Sequence, residues 1–267
     1  MEIIKTPWKN KLLELISNSK KSIKILSPFV KENVCNDILS VKQENSIIEL
    51  ITSFKLMSIY SGSVDVNGLE KIIKDKGTVK NFPQLHAKLY LFDDKEVIIT
   101  SANLTNGGLL NNYEYGVYLK DIKLVSKVVS DFNLISNNEN TGNVKLSDIK
   151  AVRELLSKIP KSDSLKLPKY EIETPEKNLD IIEISEDIIL SSLKGWKMEV
   201  FKCLQDIPSQ IFTLNEINKF EYKLKAIYPS NNNILAKIRQ QLQYLRDLGL
   251  IEFLGNGLYK KLWKSKK

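Results

Sequence analysis

Histidine is almost absent from this sequence: of 267 residues only His86 carries an imidazole. A metal centre built on several histidines is therefore excluded within one chain, and a reaction that needs two imidazoles must take the second from another molecule. Cysteine is nearly as scarce, and Cys35 and Cys203 lie far apart with no CxxC pair. That removes the usual zinc spacings and any disulfide framework, and a reducing cytoplasmic setting is expected. No stretch approaches the roughly 18 consecutive apolar residues of a membrane span. The opening residues, with Glu2 and Lys5, lack the apolar run of a secretion signal, so no membrane association is expected.

What the sequence does carry is positive charge. Forty Lys and Arg stand against 32 Asp and Glu, a formal +8, and the excess is uneven. Residues 191–267 hold 14 basic and 6 acidic side chains, whereas residues 1–190 hold 26 of each. Within the neutral part, 1–136 carries 18 basic to 15 acidic, and 137–190 carries 8 to 11 and is rich in Asn, Ser and Pro. The composition predicts a domain over 1–136, a linker over 137–190 with one helical piece from Ser147 to Lys158, and a basic domain over 191–267. A localised basic excess is the footprint of a polyanion binder, because Lys and Arg release condensed counterions from phosphates. The plainer reading is a solubilising surface.

In the first part, Leu12, Leu13, Leu15 and Ile16 give Trp8–Asn18 a helical spacing. Ser22–Val30 reads as a buried strand closed by a Ser-Pro turn, Ser46–Thr52 as a second strand, and Val66–Asp75 as a helix begun by Asp65. A strand from Leu85 to Phe92, a turn at Asp93-Asp94-Lys95 and a strand from Glu96 to Thr100 follow. After a stretch rich in Asn and Gly, Tyr113–Leu119 is one more strand. Strands alternating with helices and then a hairpin predict an α/β fold, a mixed sheet covered by helices on both faces.

On the strand 85–92, His86 and Lys88 are two apart, so both side chains leave by one face. Asp93 ends that strand, Ser101 and Asn103 are again two apart after its hairpin partner, and Glu114 opens the next strand. A neutral imidazole can attack phosphorus, Lys88 and Asn103 can hold the nonbridging oxygens where negative charge develops, and a carboxylate can fix the ring tautomer. A lone histidine on a strand is more often structural, but the spacing counts against that here. His86-Ala-Lys88, four residues, Asp93, six residues, then Thr100-Ser101-Ala102-Asn103 closely resembles the HKD motif of the phospholipase D superfamily.

The resemblance implies a phospholipase D-like mixed sheet sandwiched by helices. It makes His86 the nucleophile that forms a phosphohistidine, Lys88 and Asn103 the phosphate ligands, Ser101 a supporting hydroxyl and Glu114 the acid that orients the histidine. Asp93 is expected to brace its turn. Thr100 departs from the pattern, which has glycine there; a side chain at that place alters how closely a phosphate approaches the backbone. Superfamily members with two copies of the motif build one site from both, so a single copy implies a homodimer with a shared active site. One His86 would attack and the other protonate the leaving oxygen, with coupled titration. No metal or other cofactor is expected, because the phosphohistidine replaces a metal-activated water.

The basic part reads as a helix from Trp196 to Gln205, a helix from Leu214 to Phe220 capped by Thr213, and a long helix from Ile234 to Leu248 ended by Gly249. Its apolar face is Ile234, Leu235, Ile238, Leu242, Leu245 and Leu248. A hairpin follows, Leu250–Leu254 and Leu258–Trp263 about Gly255-Asn256-Gly257. This is the order of a C-terminal winged-helix domain; such domains also mediate protein contacts, but the +8 localised here favours double-stranded DNA as partner. Lys237, Arg239, Gln240, Gln243 and Arg246 would face the major groove, and Lys260 and Lys261 the phosphates. The run from Lys237 to Gly249, with Ile251–Leu254 and Tyr259, looks like the winged-helix module of some restriction endonucleases, including methyl-directed ones.

Together these readings predict a metal-independent DNA endonuclease, with site-specific restriction as its role. The alternatives are a non-specific or repair phosphodiesterase and a non-catalytic DNA-binding regulator. Lipid hydrolysis is disfavoured, since a DNA-type module is attached and no membrane-binding helix is present.

Overall fold

The computed structural model describes residues 1–159 and 181–265, so residues 160–180 of the expected linker lie outside it. The described chain forms two compact units, one of Met1–Phe54 and Ser58–Ile149, the other running from Lys150 onward and taking in Lys55–Met57.

The first unit runs β1 (Glu2–Lys5), α1 (Lys9–Asn18), β2 (Ser22–Leu26), α2 (Glu32–Val41), β3 (Ile47–Thr52), α3 (Leu56–Tyr60), whose first two residues belong to the other unit, α4 (Val66–Lys74) and β4 (Thr78–Asn81). It continues with β5 (Leu89–Phe92), β6 (Glu96–Thr100), a π-helical turn at Gly107–Asn111, β7 (Tyr115–Leu119), α5 (Ile122–Ser136), β8 (Gly142–Asn143) and α6 (Leu146–Ser157), which extends past the end of this unit. Eight strands form one sheet in the order β1-β7-β6-β5-β2-β3-β4-β8. β2, β3 and β4 are parallel and joined by helical crossovers, while the remaining neighbours are antiparallel. The expected mixed α/β sheet is therefore present.

Alternation along each strand gives the sheet two apolar faces. Leu50, Ile25, Tyr90 and Ile98 stand in one row across β3, β2, β5 and β6, all fully buried. The next row, Ile51, Leu26 and Leu89, turns the other way and packs in a cluster with Val125 and Phe132 of α5. Each such side chain stabilises the fold by roughly 1.5–3 kcal/mol when fully buried, so a sheet covered on both faces is a stiff frame for the loops at its end. β1, β4, β8 and α5 went unread in the sequence; Gly142–Asn143 extend the sheet from within the stretch read as linker.

The β5–β6 turn is tight: Asp93 and Asp94 adopt positive φ, 53° and 55°, and Lys95 N–H donates to the Phe92 carbonyl at 3.0 Å. These are the central positions of a type I′ turn, where Asp is tolerated because its short side chain can be satisfied locally.

The second unit contains β9 (Ile182–Ile184), α7 (Glu186–Ser192), α8 (Trp196–Gln205), β10 (Ile211–Thr213), α9 (Leu214–Asn218), α10 (Glu221–Ile227), α11 (Ile234–Asp247), β11 (Ile251–Gly255), β12 (Leu258–Lys261) and β13 (Trp263–Ser265). α9 opens with a full capping box between Thr213 and Glu216, worth about 1 kcal/mol for the threonine alone. Gly249, at φ 71°, ends α11. The three-stranded sheet β10-β12-β11 carries the wing, whose tip residues Gly255, Asn256 and Gly257 all have positive φ. One boundary is corrected: the second wing strand stops at Lys261, and Trp263–Ser265 turns away to pair with β9 in parallel. The driving cause is Trp263, which is 2% exposed, lies 4.8 Å from the Phe201 ring and donates Nε1–H to Glu186 at 3.2 Å. Among the described residues no helix is long and apolar enough to cross a membrane.

Candidate active site

The expected strand 85–92 forms only from Leu89, so His86 and Lys88 sit just before β5. The reason lies in the partner strand: β6 ends at Thr100, whose N–H reaches the Lys88 carbonyl at 3.2 Å, and beyond it the chain turns away. Outside the ladder, His86 and Ala87 are exposed. The Lys88 ammonium donates to the His86 carbonyl at 2.6 Å and lies 3.5 Å from His86 Nδ1. Partial burial holds the Lys88 pKa below the ordinary lysine value, while the negative charge of Glu114 pulls against that shift. A cation, a ring nitrogen and a carboxylate thus share one electrostatic environment.

Glu114, which the resemblance made the orienting acid of His86, is engaged elsewhere. Its carboxylate accepts from Ser101 Oγ–H in a short hydrogen bond and from Asn112 Nδ2 at 3.2 Å. Its backbone N–H is held by Thr6 Oγ1 at 3.1 Å. Ser101 Oγ also accepts the Tyr115 N–H at 3.1 Å, which ties the turn after β6 to the start of β7.

Asn103 is held from behind. Its backbone lies so close to Gly108 that a Cβ there would stand 2.5 Å from the Asn103 carbonyl oxygen. The Ala102 carbonyl accepts the Tyr90 O–H at 3.0 Å, and Leu104 N–H donates to Ser27 Oγ at 2.8 Å. Burial pushes the Tyr90 pKa up and keeps the phenol a donor. Its ring packs edge-on to Trp8 at 5.2 Å, and Trp8 Nε1–H donates to the Gly108 carbonyl at 3.2 Å. Asn103 Oδ1 is buried without a hydrogen-bond partner, a cost of about 1–3 kcal/mol that fixed sites tend to carry. Tyr90, Ser27, Gly108 and Thr6 were missed in the sequence. Only Tyr90 gave a signal there, two residues past Lys88 and hence on the same face.

Asp93 lies at the far end of β5 from His86. Its carboxylate accepts three backbone N–H groups, from Lys20 at 2.8 Å, Lys21 at 2.7 Å and Ser22 at 2.9 Å. Burial works against its charge, but those three donors and Lys95 outweigh it and hold the carboxyl below the ordinary aspartate value.

In the second unit, Arg239, Gln240 and Gln243 lie exposed along α11. Lys237 is half-buried, donates to Gln240 Oε1 at 2.7 Å and stands 5.8 Å above the Trp196 ring. Two residues of α11 differ from expectation, as does Lys261 on β12. Arg246 is 8% exposed, with Nε and Nη2 on Asp247 Oδ1, because it follows Leu242 by one turn and faces inward; Leu235, one turn before Arg239, is 38% exposed. On β12, Lys260 and Lys261 point to opposite faces. Lys260 is half-exposed, whereas Lys261 is buried and donates to the Ile207 carbonyl. Burial lowers the Lys261 pKa, with Glu186 opposing that shift. Arg246 and Lys261 thus both lie buried within this unit, Arg246 on Asp247 and Lys261 on the Ile207 carbonyl.

Residues 12–135 match the family described as cardiolipin synthase, PLD-like domain, and residues 192–261 match the Dam-replacing HTH domain. Among solved structures, the chain is similar to a phospholipase D family member, Nuc from Salmonella typhimurium, at 15% identity and TM-score 0.46, over 53% of this chain and 95% of that one. It is also similar to NucT from Helicobacter pylori, at 22% identity and TM-score 0.39, over 50% of this chain and 93% of that one.

Proposed function

From a chain that joins a phospholipase D-like fold to a helix-turn-helix domain of the Dam-replacing type, we propose a metal-independent, homodimeric DNA endonuclease acting as a site-specific restriction enzyme. The observation that carries this reading is the grouping of His86, Lys88, Ser101, Asn103 and Glu114 at one end of β5, β6 and β7. Lys88 and the Asn103 amide hold the nonbridging oxygens of a phosphodiester. The His86 ring nitrogen attacks phosphorus, a P–N bond forms, and the P–O bond to the leaving oxygen breaks. That oxygen takes its proton from His86 of the partner subunit, which then accepts a proton from the water that hydrolyses the phosphohistidine. Ser101 and Glu114 fix the β6–β7 end on which Asn103 stands. The exposed Arg239, Gln240 and Gln243 read base edges, and Lys260 meets phosphates.

The test is digestion of methylated and unmethylated plasmid in excess chelator by wild type and His86→Ala, with the ends mapped. Discrete ends from wild type and none from the variant are expected. A strict Mg²⁺ requirement would overturn the mechanism. A smear in place of discrete ends would favour a non-specific or repair phosphodiesterase.

A further inference from the structure

Thr100, the one departure from the resembled motif, has surroundings that give it a task. It closes β6 in a row that runs Lys88, Thr100, Gly116, Ile4 across the ends of β5, β6, β7 and β1. Cross-strand neighbours share a face, so the threonine side chain stands between Lys88 and the bare backbone of Gly116. Two side chains would not fit: a Cβ at position 116 would lie 2.6 Å from Thr100 Cβ and 2.6 Å from the Ile99 carbonyl oxygen.

The hydroxyl in that space both donates and accepts. Thr100 Oγ1 donates to the Tyr115 carbonyl at 3.1 Å and accepts the Ala102 N–H at 3.2 Å. The same Tyr115 carbonyl accepts the Ser101 N–H at 3.0 Å. With Tyr90 on the Ala102 carbonyl at 3.0 Å, both backbone polar groups of Ala102 are fixed by side chains, and Asn103 is the next residue. A β-branched residue is stiff about χ1, whereas glycine would leave the strand end free to vary.

We propose that Thr100 is a positioning residue of this site: its hydroxyl, seated over Gly116, holds Ala102 so that Asn103 and Lys88 meet one phosphate group. The proposal rests on the phosphodiesterase reading. It gives the side chain at this place a task beyond altering how closely a phosphate approaches the backbone.

The test compares full-length wild type, Thr100→Ser, Thr100→Val and Thr100→Gly in hydrolysis of bis(p-nitrophenyl) phosphate, together with melting temperature and hydrogen exchange of the Ala102 amide. Thr100→Ser should stay within about twofold of wild type, while the valine and glycine variants lose roughly two- to tenfold in kcat, the span of one net hydrogen bond, with KM little changed. Ala102 exchange should quicken in the valine and glycine variants and not in the serine variant. A glycine or valine variant as fast as wild type, or a serine variant as slow as valine, overturns the proposal. If the wild type shows no His86-dependent hydrolysis, the phosphodiesterase reading fails. Exchange then still decides the role of Thr100, and equal protection of Ala102 in all four proteins refutes it.

Discussion

Asp93 shows how a motif position can matter without touching the reaction. Its three backbone donors come from residues 71 to 73 positions earlier, so one carboxylate pins the start of β2 to the β5–β6 turn. Asp93→Ala should cost roughly 1–2 kcal/mol, the lower part of the range for charge-assisted bonds because the group is partly exposed. Urea denaturation measures this. Because the folded pKa is depressed, the contribution is present above the ordinary aspartate value and is lost as pH falls through the folded one. The stability difference between wild type and Asp93→Asn should therefore shrink on acidification; a constant difference would deny the charge a role. For Lys88 the sign is opposite. In the proposed reaction the cation holds the phosphate, and its pKa lies below the ordinary lysine value, so kcat/KM should fall on the alkaline side before ordinary lysines titrate. A flat pH–rate profile through that range would remove Lys88 as the charged ligand. The motif residues were readable because their spacing is local. The bracket behind them was not, since Ser27 and Leu104 are 77 positions apart and nothing in either neighbourhood announces the other.

At the scale of elements, periodicity told more about existence than about ends. α11 was foreseen within one residue of its end, yet its outward face was misjudged at Leu235 and Arg246 because residue type was given more weight than angular position. β12 alternates, so only one of two adjacent lysines can reach a ligand. Lys260→Ala should weaken binding to every DNA sequence alike, and Arg239→Ala should relax sequence preference by roughly 1–3 kcal/mol at the base it reads. Lys261→Met, by contrast, should leave DNA affinity within about twofold once folding is matched. Fluorescence anisotropy on matched and scrambled duplexes distinguishes the three, and a large affinity loss in Lys261→Met would show that the buried ammonium reaches DNA. α5 was missed although Asp121 caps it through Lys123 and Leu124 N–H groups; its apolar residues are interrupted by exposed Ile122, Leu124 and Leu134, which blur the amphipathic pattern.

For the whole molecule, one histidine per chain makes the proposed reaction second order in protein. Specific activity should rise with enzyme concentration until dimers are saturated. Mixing wild type with excess His86→Ala should depress activity more steeply than dilution, since each mixed dimer lacks either attacker or acid. Activity that scales linearly in such mixtures would require a complete site in one chain. The charge arithmetic located the basic part, but it could not separate Lys260 from Lys261, because charge per segment carries no direction.

The parallel pairing of Trp263–Ser265 with Ile182–Ile184 sets where this unit can be cut. β9 precedes the helices α7 to α11 and β13 follows the wing, so this short ladder joins the two ends of their stretch of chain. A fragment of this unit begun at Trp196 would lack Ile182–Ile184 and leave the final strand without its partner.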